Sequence, residues 1–456
     1  MREFIIWRIL YYLRFWARIA LVVNKPYVIG VAGSVGKSST RNALHAVLKD
    51  HFKVKVVSGN SETGVPLGIL GIATEGFTYK NWLLMLFKAP FGITHLRNTR
   101  YLIVEMGIDD PNPPKNMSYL LTIVTPEMSI DLNATATHTM QFEKLLSSNT
   151  KNTLDFLLTK IAEEDSKIIT NRKTKIGIFN WDDLRLRTAV SKKAKDVKLF
   201  TFGSASDCDI VFKDYSITTK KTKFTYDLKS EKGTRTVELS FSGLLLPPAA
   251  RESFGAVILA CMQLGLKFSQ VKESLEKNFA IPKGRSTLFS GVRGTLIIDS
   301  SYNSSKSTVL SFLEVLKELR QKTGKKTVFL MGDMRELGTT SQVEHEEVAR
   351  MVAESVDELY CVGPLTQEFV MPYIKNILGK KGKTQKAEWY KNAIQAGLHM
   401  KEEVSDNSII LVKGSQNTLF LEESIKFLLE NQVDSKNLTR QEEYWMKIKQ
   451  NFFSVE

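Results

Sequence analysis

The chain has few cysteines and, near its start, no long apolar run. Its 456 residues include three cysteines, far apart and without a C-x-x-C pair, which argues against a disulfide framework or a zinc site. In residues 1–25 the longest apolar run, Ile19 to Val23, is too short to span a bilayer. The clean apolar centre and small-residue cleavage site of a signal peptide are also missing. We therefore expect a reducing cytoplasm as the compartment.

Acidic residues are scarce relative to basic ones. Asp and Glu number 49 against 63 Lys and Arg, giving a formal net charge of +14. This balance favours a polyanionic partner, such as nucleic acid, an anionic membrane face or a phosphorylated substrate. No RNA- or DNA-binding motif is present and the basic residues are scattered, so we expect no nucleic-acid partner. The length suggests about three domains.

Residues 1–25 interleave aromatic and basic side chains. Glu3 is the only acid in a segment whose aromatic and basic residues include Phe4, Trp7, Tyr11, Tyr12, Phe15, Trp16, Arg2, Arg8, Arg14 and Arg18. Such a mixture suits the interface of an anionic membrane. A helix that packs on the following domain explains the pattern equally well. We predict a helix over residues 1–26 with one of these two roles.

The stretch from Tyr27 to Thr40 reads as a buried strand, a glycine-rich turn and the start of a helix. Two glycines let successive N–H groups of the turn point at an anion, and the helix N-terminus adds partial positive charge. Lys37 would reach the terminal phosphates of ATP, and Ser38 would be a Mg²⁺ ligand. Val31 stands where a full P-loop has its first glycine. The predicted ATP contacts are Gly33, Ser34, Val35, Gly36, Lys37, Ser38 and Ser39.

Apolar runs then alternate with helical patterns, which predicts an α/β fold with a mixed, mostly parallel sheet. The predicted strands of this part are Val28–Ala32, Val54–Val57, Tyr101–Glu105, Leu120–Val124 and Lys175–Phe179. Alternating segments between 198 and 245 predict antiparallel strands at the edge of the sheet, before a helix over 251–264. The apolar segment Trp82–Phe87 is interpreted as a core helix or as a second membrane-facing surface.

From about residue 285, apolar strand segments again alternate with helical segments, which predicts a second, Rossmann-like α/β domain. Its predicted strands are Thr295–Ile298, Lys326–Met331, Glu358–Val362 and Ser408–Lys413. The expected organisation is an N-terminal helix (1–26), a central ATP-binding domain (27–285), the Rossmann-like domain (286–430) and a C-terminal tail (431–456), with a surface helix in the tail.

Further motifs follow the predicted strands, where open α/β sheets bind ligands. They are Gly59–Leu67, Val104–Gly107, Asp299–Asn303, Gly332–Gly338 and Lys413–Ser415. In order and spacing, these segments and the P-loop resemble the Mur ligases over residues 27–430. The resemblance is strongest to the members that add D-alanyl-D-alanine to the muramyl tripeptide of peptidoglycan precursors.

The resemblance implies a cytoplasmic, monomeric ligase of peptidoglycan synthesis, and thus of cell-wall biogenesis. ATP would phosphorylate the carboxylate of a muramyl-peptide precursor, and the amine of an amino acid or dipeptide would attack the acyl phosphate. Such a reaction needs a cationic clamp and Mg²⁺ around the transferring phosphoryl group.

Site residues are carried over by position from the resemblance. Lys37 would be the clamp, Ser38 and Glu105 ligands of a first Mg²⁺, and His138 and Asp165 catalytic ligands of a second. Nucleotide contacts would come from Asp299, Tyr302 and Asn303. The implied substrate contacts are Asn60, Thr63, Arg285, Asp333, Glu336 and Lys413.

The chain also departs from the family. Asp165 stands where the family has a carbamylated lysine, with Glu164 and Lys167 as alternative counterparts. Pro248 and Ala249 replace a His-Asn pair that contacts adenine. About 25 residues before the P-loop are too few for the uridine-binding domain of these ligases. We therefore expect a non-standard or lipid-linked precursor, used at the inner membrane face with residues 1–25 as an anchor.

Two other functions are compatible with the P-loop. A folate polyglutamate synthetase shares the P-loop and the two-domain core, although the Gly332–Gly338 segment disfavours it. A non-catalytic ATP-binding scaffold of a cell-wall complex would keep the phosphate cradle without turnover.

Overall fold

The structure is a computed structural model that describes residues 2–73, 79–136, 139–147, 150, 152–231, 233–377, 384–415 and 419–455. It divides the chain into two compact units. Unit 1 comprises Met1–Asp214, Thr225–Leu239 and Ala250–Phe279. Unit 2 comprises Tyr215–Phe224, Ser240–Ala249 and Ala280–Glu456.

A nine-stranded sheet contains the P-loop strand. Its strands are β1 (Tyr27–Ala32), β2 (Val54–Val56), β3 (Tyr101–Glu105), β4 (Met128–Asp131), β5 (Ile176–Asn180), β6 (Lys198–Gly203), β7 (Ile210–Thr218), β8 (Lys221–Ser230) and β9 (Gly233–Ser242). Their order is β2-β3-β1-β4-β5-β6-β7-β8-β9, with parallel pairing from β2 through β7. Two-residue connections, the length of tight hairpins, join β7 to β8 and β8 to β9.

Helices flank the parallel part of the sheet. In unit 1 they are α1 (Arg2–Asn24), α2 (Lys37–Leu48), α3 (Gly64–Ile69), α4 (Tyr79–Lys88), α5 (Met117–Ile123), α6 (Thr139–Phe142), α7 (Thr153–Asp165), α8 (Lys167–Thr170), α9 (Leu184–Lys193), α10 (Ala250–Gln263) and α11 (Phe268–Asn278). A 3₁₀ helix, Ala89–Leu96, follows α4. The α/β class with mostly parallel sheets is thereby confirmed.

One predicted strand of this sheet is wrong. Leu120–Val124 lies largely in α5, and the strand is β4, which begins four residues after Val124. The side chain of Asn116 accepts a hydrogen bond from the N–H of Tyr119, which caps the start of α5. This cap commits an apolar, strand-like segment to a helix.

The N-terminal helix α1 packs on unit 1. Leu10, Leu13, Ala17 and Ala20, spaced three and four residues apart, are buried in the same apolar cluster as the sheet residues Val28 and Leu102. No helix in the described part of the chain is both long and apolar enough to span a bilayer.

The helix expected at Trp82–Phe87 is present, but only part of its apolar surface packs on the core. These residues lie in α4, where Met85 is the buried member and both Leu84 and Phe87 are exposed. Periodicity predicts the helix, but the side of the apolar face that is covered depends on tertiary packing.

Unit 2 contains a six-stranded sheet. Its strands are β10 (Thr287–Ser290), β11 (Leu296–Ser300), β12 (Thr327–Gly332), β13 (Glu358–Val362), β14 (Lys386–Tyr390) and β15 (Ile409–Lys413), in the order β10-β11-β15-β12-β13-β14. Only β10 pairs antiparallel among the described pairs. Its helices are α12 (Lys306–Thr323), α13 (Ser341–Ser355), α14 (Met371–Ile377), α15 (Ala393–Glu403), α16 (Glu422–Leu428) and α17 (Glu443–Val455). The carboxyl ends of β11, β12 and β15 carry three of the sequence motifs.

Buried ion pairs attach the C-terminal segment to unit 2. Arg440 donates to both carboxylate oxygens of Glu422 at 2.8 and 2.7 Å, and Lys449 lies 2.9 Å from the same carboxylate. Lys449 also lies 2.7 Å from Glu423. Arg440 donates a further hydrogen bond to the carbonyl of Ser301, in the motif after β11. The segment after residue 431 is therefore an integral part of unit 2.

Substituting Arg440 with Ala should lower the free energy of unfolding of unit 2 by about 3–5 kcal/mol. The buried carboxylate of Glu422 would lose one of its cationic partners and keep Lys449. The matched control is Arg293→Ala, since Arg293 pairs with Asp406 at 2.5 Å but both side chains are exposed. Arg293→Ala should lower the free energy of unfolding by about 1 kcal/mol or less. Calorimetric unfolding of the two variants checks the difference. Equal losses in both would contradict it.

Candidate functional site

The turn between β1 and α2 is a compact loop that contains two glycines of positive φ. Gly33 and Gly36 have φ of 118° and 93°, which glycine adopts without strain. A Cβ on Gly33 would lie 3.0 Å from the backbone nitrogens of Leu132 and Asn133, so a side chain has no room there. The first N–H groups of α2 have no acceptor within the helix, and they point out of its N-terminus. This geometry is suited to a phosphate group.

Lys37 and Ser38 open α2 at the loop. The ammonium of Lys37 donates to the carbonyls of Gly33 at 2.5 Å and Ser34 at 3.2 Å, which holds it against the loop. The hydroxyl of Ser38 lies 3.0 and 3.1 Å from the two carboxylate oxygens of Glu105, at the end of β3. The sequence-predicted lysine, hydroxyl and carboxylate thus come together.

Glu105 is buried and has two further partners. Arg41, one turn after Lys37 on α2, lies 3.0 Å from its carboxylate. The amide of Asn60 donates to it at 3.4 Å, and the carbonyl of Asn60 accepts from the N–H of Gly107 at 2.9 Å. Asn60 is therefore adjacent to Glu105, and Thr63 follows at the N-terminus of α3.

Asp131 ends β4 beside the loop strand, opposite Ala32 in the parallel register. Its side chain is fully buried, and within the described chain neither carboxylate oxygen has a hydrogen-bond partner. Burial raises the pKa of Asp131, and the charges of Asp165 and Asp183 raise it further, while Lys37 lowers it. A buried carboxylate without donors is well suited to a cation that binds nearby.

Asp165 is buried at the end of α7. Its charge raises the pKa of Asp131, which indicates that the two carboxylates are near each other. The alternative counterparts are engaged elsewhere. Glu164 accepts from the N–H of Ser118 at 3.1 Å and pairs with Lys167, which also donates to the hydroxyl of Ser118. Glu164 and Lys167 are thus bonded to each other and to Ser118. His138 lies outside the described residues.

A second group of predicted residues comes together in unit 2. The guanidinium of Arg285 lies over the ring of Tyr302 at 4.7 Å. Asp299 is buried at the end of β11, and burial raises its pKa to about 6. The ammonium of Lys413, at the end of β15, donates to the carbonyl of Asn303 at 2.7 Å.

Lys413 is buried, and burial with the charge of Arg285 lowers its pKa to about 7, against an opposing effect of Asp299. Above that pH the folded lysine is neutral while the unfolded one, with a pKa of 10.5, stays charged. The unfolded state then binds more protons, so stability rises with pH through this window. We expect wild type to gain roughly 1.4 kcal/mol per pH unit over Lys413→Met between about pH 7 and 10.

Urea unfolding of wild type and Lys413→Met at pH values inside and below this window checks that gain. Lys326→Met, which changes an exposed lysine just before β12, is the control and should show no such slope. A stability difference between wild type and Lys413→Met that stays constant with pH would contradict the expectation.

Asp333 and Glu336 lie in the motif after β12. Asp333 is buried, accepts from the N–H of Thr366 at 2.9 Å, and has its pKa raised by burial. Glu336 is exposed at a φ of 63°. His345 accepts from the N–H of Met334 at 3.1 Å, and burial lowers its pKa. The N–H of Ser415, in the motif after β15, donates to the carbonyl of Asp333 at 2.9 Å, so the motifs after β12 and β15 are in contact.

Four residues of the loop site were not predicted. They are Arg41, Asp131, Asn133 and Ser253. Asn133 clamps the loop, because its side chain accepts from the N–H of Val35 at 2.9 Å and donates to the carbonyl of Val35 at 3.1 Å. The hydroxyl of Ser253 lies 3.5 Å from the carbonyl of Gly36. Arg41 could have been found from its i,i+4 spacing to Lys37, which places both on one helix face.

The fold and the site define a class of protein. Residues 284–416 match the family described as Mur ligase, glutamate ligase domain. This match covers much of unit 2, including the motifs after β11, β12 and β15. It confirms the resemblance to the Mur ligases over this part of the chain.

Individual relatives and solved structures are also similar to this chain. A UDP-N-acetylmuramoyl-tripeptide--D-alanyl-D-alanine ligase of Rickettsia prowazekii is 24% identical over 397 residues, covering 86% of this chain and 76% of the relative. The crystal structure of the MurF ligase from Thermotoga maritima in complex with ADP superposes with a TM-score of 0.69 at 21% identity, covering 97% and 84% of the two chains. A mutant of L. casei FPGS has a TM-score of 0.58 at 14% identity, covering 92% and 94%.

Proposed function

We propose that this chain is an ATP-dependent ligase that adds an amino acid or dipeptide, D-alanyl-D-alanine in the first instance, to a muramyl-peptide precursor of peptidoglycan. The observation that carries the proposal is the contact of Ser38 with Glu105 beside Lys37, at the N-terminus of α2. The relative from Rickettsia prowazekii, named for this substrate pair, supports the choice of substrate.

The proposed reaction has two steps. A carboxylate oxygen of the precursor attacks the γ-phosphorus of ATP, so that ADP leaves and an acyl phosphate forms. The neutral amine of the dipeptide then attacks the acyl carbon, inorganic phosphate leaves and the amine loses a proton. Lys37 stabilises negative charge on the transferring phosphoryl group, and the N-terminus of α2 binds the phosphates.

The residues present fit Mg²⁺. The described residues contain no group of three or more His, Cys, Asp or Glu that could hold a metal by itself. Mg²⁺ is usually held by one or two carboxylates together with substrate phosphates and waters. Ser38 and Glu105 supply a hydroxyl and a carboxylate for a first ion, which would neutralise phosphate charge. We propose Asp165 and His138 as ligands of a second ion.

Asp131 adds a second buried carboxylate on the side of Asp165, and we propose that it supports the same ion. In unit 2 we assign the nucleotide contacts to Asp299, Tyr302 and Asn303. The proposed substrate contacts are Asn60, Thr63, Arg285, Asp333, Glu336 and Lys413.

The proposed working unit is a cytoplasmic monomer. We propose a central domain (27–285) with the N-terminal helix (1–26) packed on it, and a C-terminal ligase domain (286–430) of which the tail (431–456) is an integral part. Peripheral association with an anionic membrane surface, through residues 1–25, completes the proposal.

A phosphate-release assay of the full chain with ATP and Mg²⁺ tests the function. The panel contains UDP-muramyl tripeptide, D-alanyl-D-alanine, single amino acids, and a folate with glutamate. We expect release that requires the muramyl acceptor and the dipeptide together, with or without vesicles.

Other outcomes of this assay favour the other functions. Release that needs only folate and glutamate would assign the chain to the folate polyglutamate type, whose fold the L. casei protein shares. ATP binding without turnover on any pair would favour the scaffold.

A further inference from the structure

The outward face of α1 is apolar and aromatic although α1 is already packed on unit 1. Phe4, Tyr11, Phe15 and Val22 are spaced seven, four and seven residues apart, which places them on one face of the helix. They are 61%, 50%, 56% and 69% exposed. This face lies opposite the buried stripe that begins with Leu10. A packed helix thus presents a second, uncovered apolar face.

The neighbouring segment presents the same kind of surface. In α4 and the 3₁₀ helix after it, five large apolar side chains are at least half exposed, namely Tyr79, Leu83, Leu84, Phe87 and Phe91. The hydroxyl of Tyr12 on α1 donates to the carbonyl of Leu86 on α4 at 3.2 Å, and the rings of Phe87 and Phe91 lie 5.6 Å apart. Helices α1 and α4 are therefore adjacent on unit 1, and we call their exposed apolar surfaces together the α1–α4 face.

The charges on this face have one sign. Its exposed ionic side chains include Arg8, Arg18, Lys80 and Lys88, and the sequence of residues 4–24 and 79–96 contains no Asp or Glu. The guanidinium of Arg8 lies over the ring of Phe4 at 4.8 Å, so cation and aromatic group share one surface. A cationic face of this kind complements a negatively charged partner.

We propose that the α1–α4 face docks on an anionic lipid bilayer, with α1 lying in the plane of the interface. Aromatic rings and the apolar stems of Arg and Lys both suit the headgroup boundary, where the charges meet anionic lipids. With 23 residues, α1 is roughly 35 Å long and offers an extended line of contact. A symmetric contact between two copies would instead bring cations against cations.

This inference rests on the peripheral membrane association proposed above and extends it from residues 1–25 to α4. Its specific consequence is that α4 contributes to binding as α1 does. The test is flotation of the full chain with vesicles of phosphatidylcholine, alone or with about one third phosphatidylglycerol. We expect binding to the mixed vesicles that weakens with salt, and little binding to phosphatidylcholine alone.

Paired substitutions separate the two helices. Leu83→Ser with Phe87→Ser on α4, and Phe4→Ser with Phe15→Ser on α1, should each lower the partition coefficient about tenfold or more. The matched control is Leu398→Ser with Val433→Ser, which removes apolar side chains of similar exposure, 49% and 61%, from unit 2. It should bind like wild type, and all three should unfold at the wild-type temperature because the changed residues are exposed.

Several outcomes would overturn the proposal. If the Leu83→Ser, Phe87→Ser variant binds vesicles like wild type, α4 is not part of the docking surface. If wild type binds both vesicle types equally, anionic lipid is not required for docking. Self-association without vesicles that the same pairs abolish would assign the face to a second copy. Phosphate release in the absence of vesicles reports separately on the ligase activity, so failure to float with retained turnover refutes only the docking.

Discussion

Lys37→Ala should lower phosphate release that depends on both acceptor and dipeptide by about 10³-fold or more. Lys37 is the cation held against the loop, where its ammonium donates to the carbonyls of Gly33 and Ser34. Phosphoryl transfer to a carboxylate brings two negative groups together, and the protein contributes mainly positive charge in a fixed position. Without this ammonium, the α2 N-terminus still binds phosphate but cannot compensate the charge that develops during transfer.

The matched control for Lys37→Ala is Lys49→Ala, at the exposed C-terminal end of the same helix. This variant should turn over at the wild-type rate. A thermal unfolding midpoint of Lys37→Ala close to that of wild type shows that the loop still folds. Normal turnover by a folded Lys37→Ala protein would refute the assignment of the phosphate site.

The loop could be predicted because its determinants are local. Strand, glycines, lysine and helix start follow one another within Tyr27–Thr40, and the positive φ of Gly33 and Gly36 is what the turn requires. Glu105 was placed by the resemblance to the Mur ligases. The structure puts it at the end of a strand that is buried throughout and lies next to β1, where the strand ends of a parallel sheet meet at one edge.

Other parts of the site depend on contacts between distant residues. The hydrogen bonds between Asn133 and Val35 join residues that are 98 positions apart in the chain. Asn133 follows β4, and the apolar pattern alone placed this strand too early, at Leu120–Val124. Asp131 was missed for the same reason, since it ends the true strand. Likewise, the exposure of Leu84 and Phe87 is decided by which side of α4 is covered, a property of tertiary packing rather than of periodicity.

Asp165→Ala should lower turnover about 10²-fold, and Asp131→Asn about tenfold or more, because both carboxylates would support the second Mg²⁺. Asp131 is buried without a hydrogen-bond donor among the described residues, so it contributes little to folding by its own contacts. A cation that binds with the substrates would explain a carboxyl group in this position, because it would compensate the charge that burial otherwise disfavours. If the two act on one ion, the double variant should lose little more than Asp165→Ala alone.

Mn²⁺ binding in the presence of ADP can be measured by electron paramagnetic resonance, independently of turnover. We expect Asp165→Ala and Asp131→Asn each to lower the Mn²⁺ affinity of the second metal site. The control is Glu164→Gln, which alters the carboxylate paired with Lys167 and bonded to Ser118. It should cost stability while leaving Mn²⁺ affinity and turnover near wild type. If Glu164→Gln abolishes both and Asp165→Ala does not, the metal ligand is Glu164. In that case Asp131, whose raised pKa reflects its burial and the charge of Asp165, would be a structural residue of β4 rather than part of the metal site.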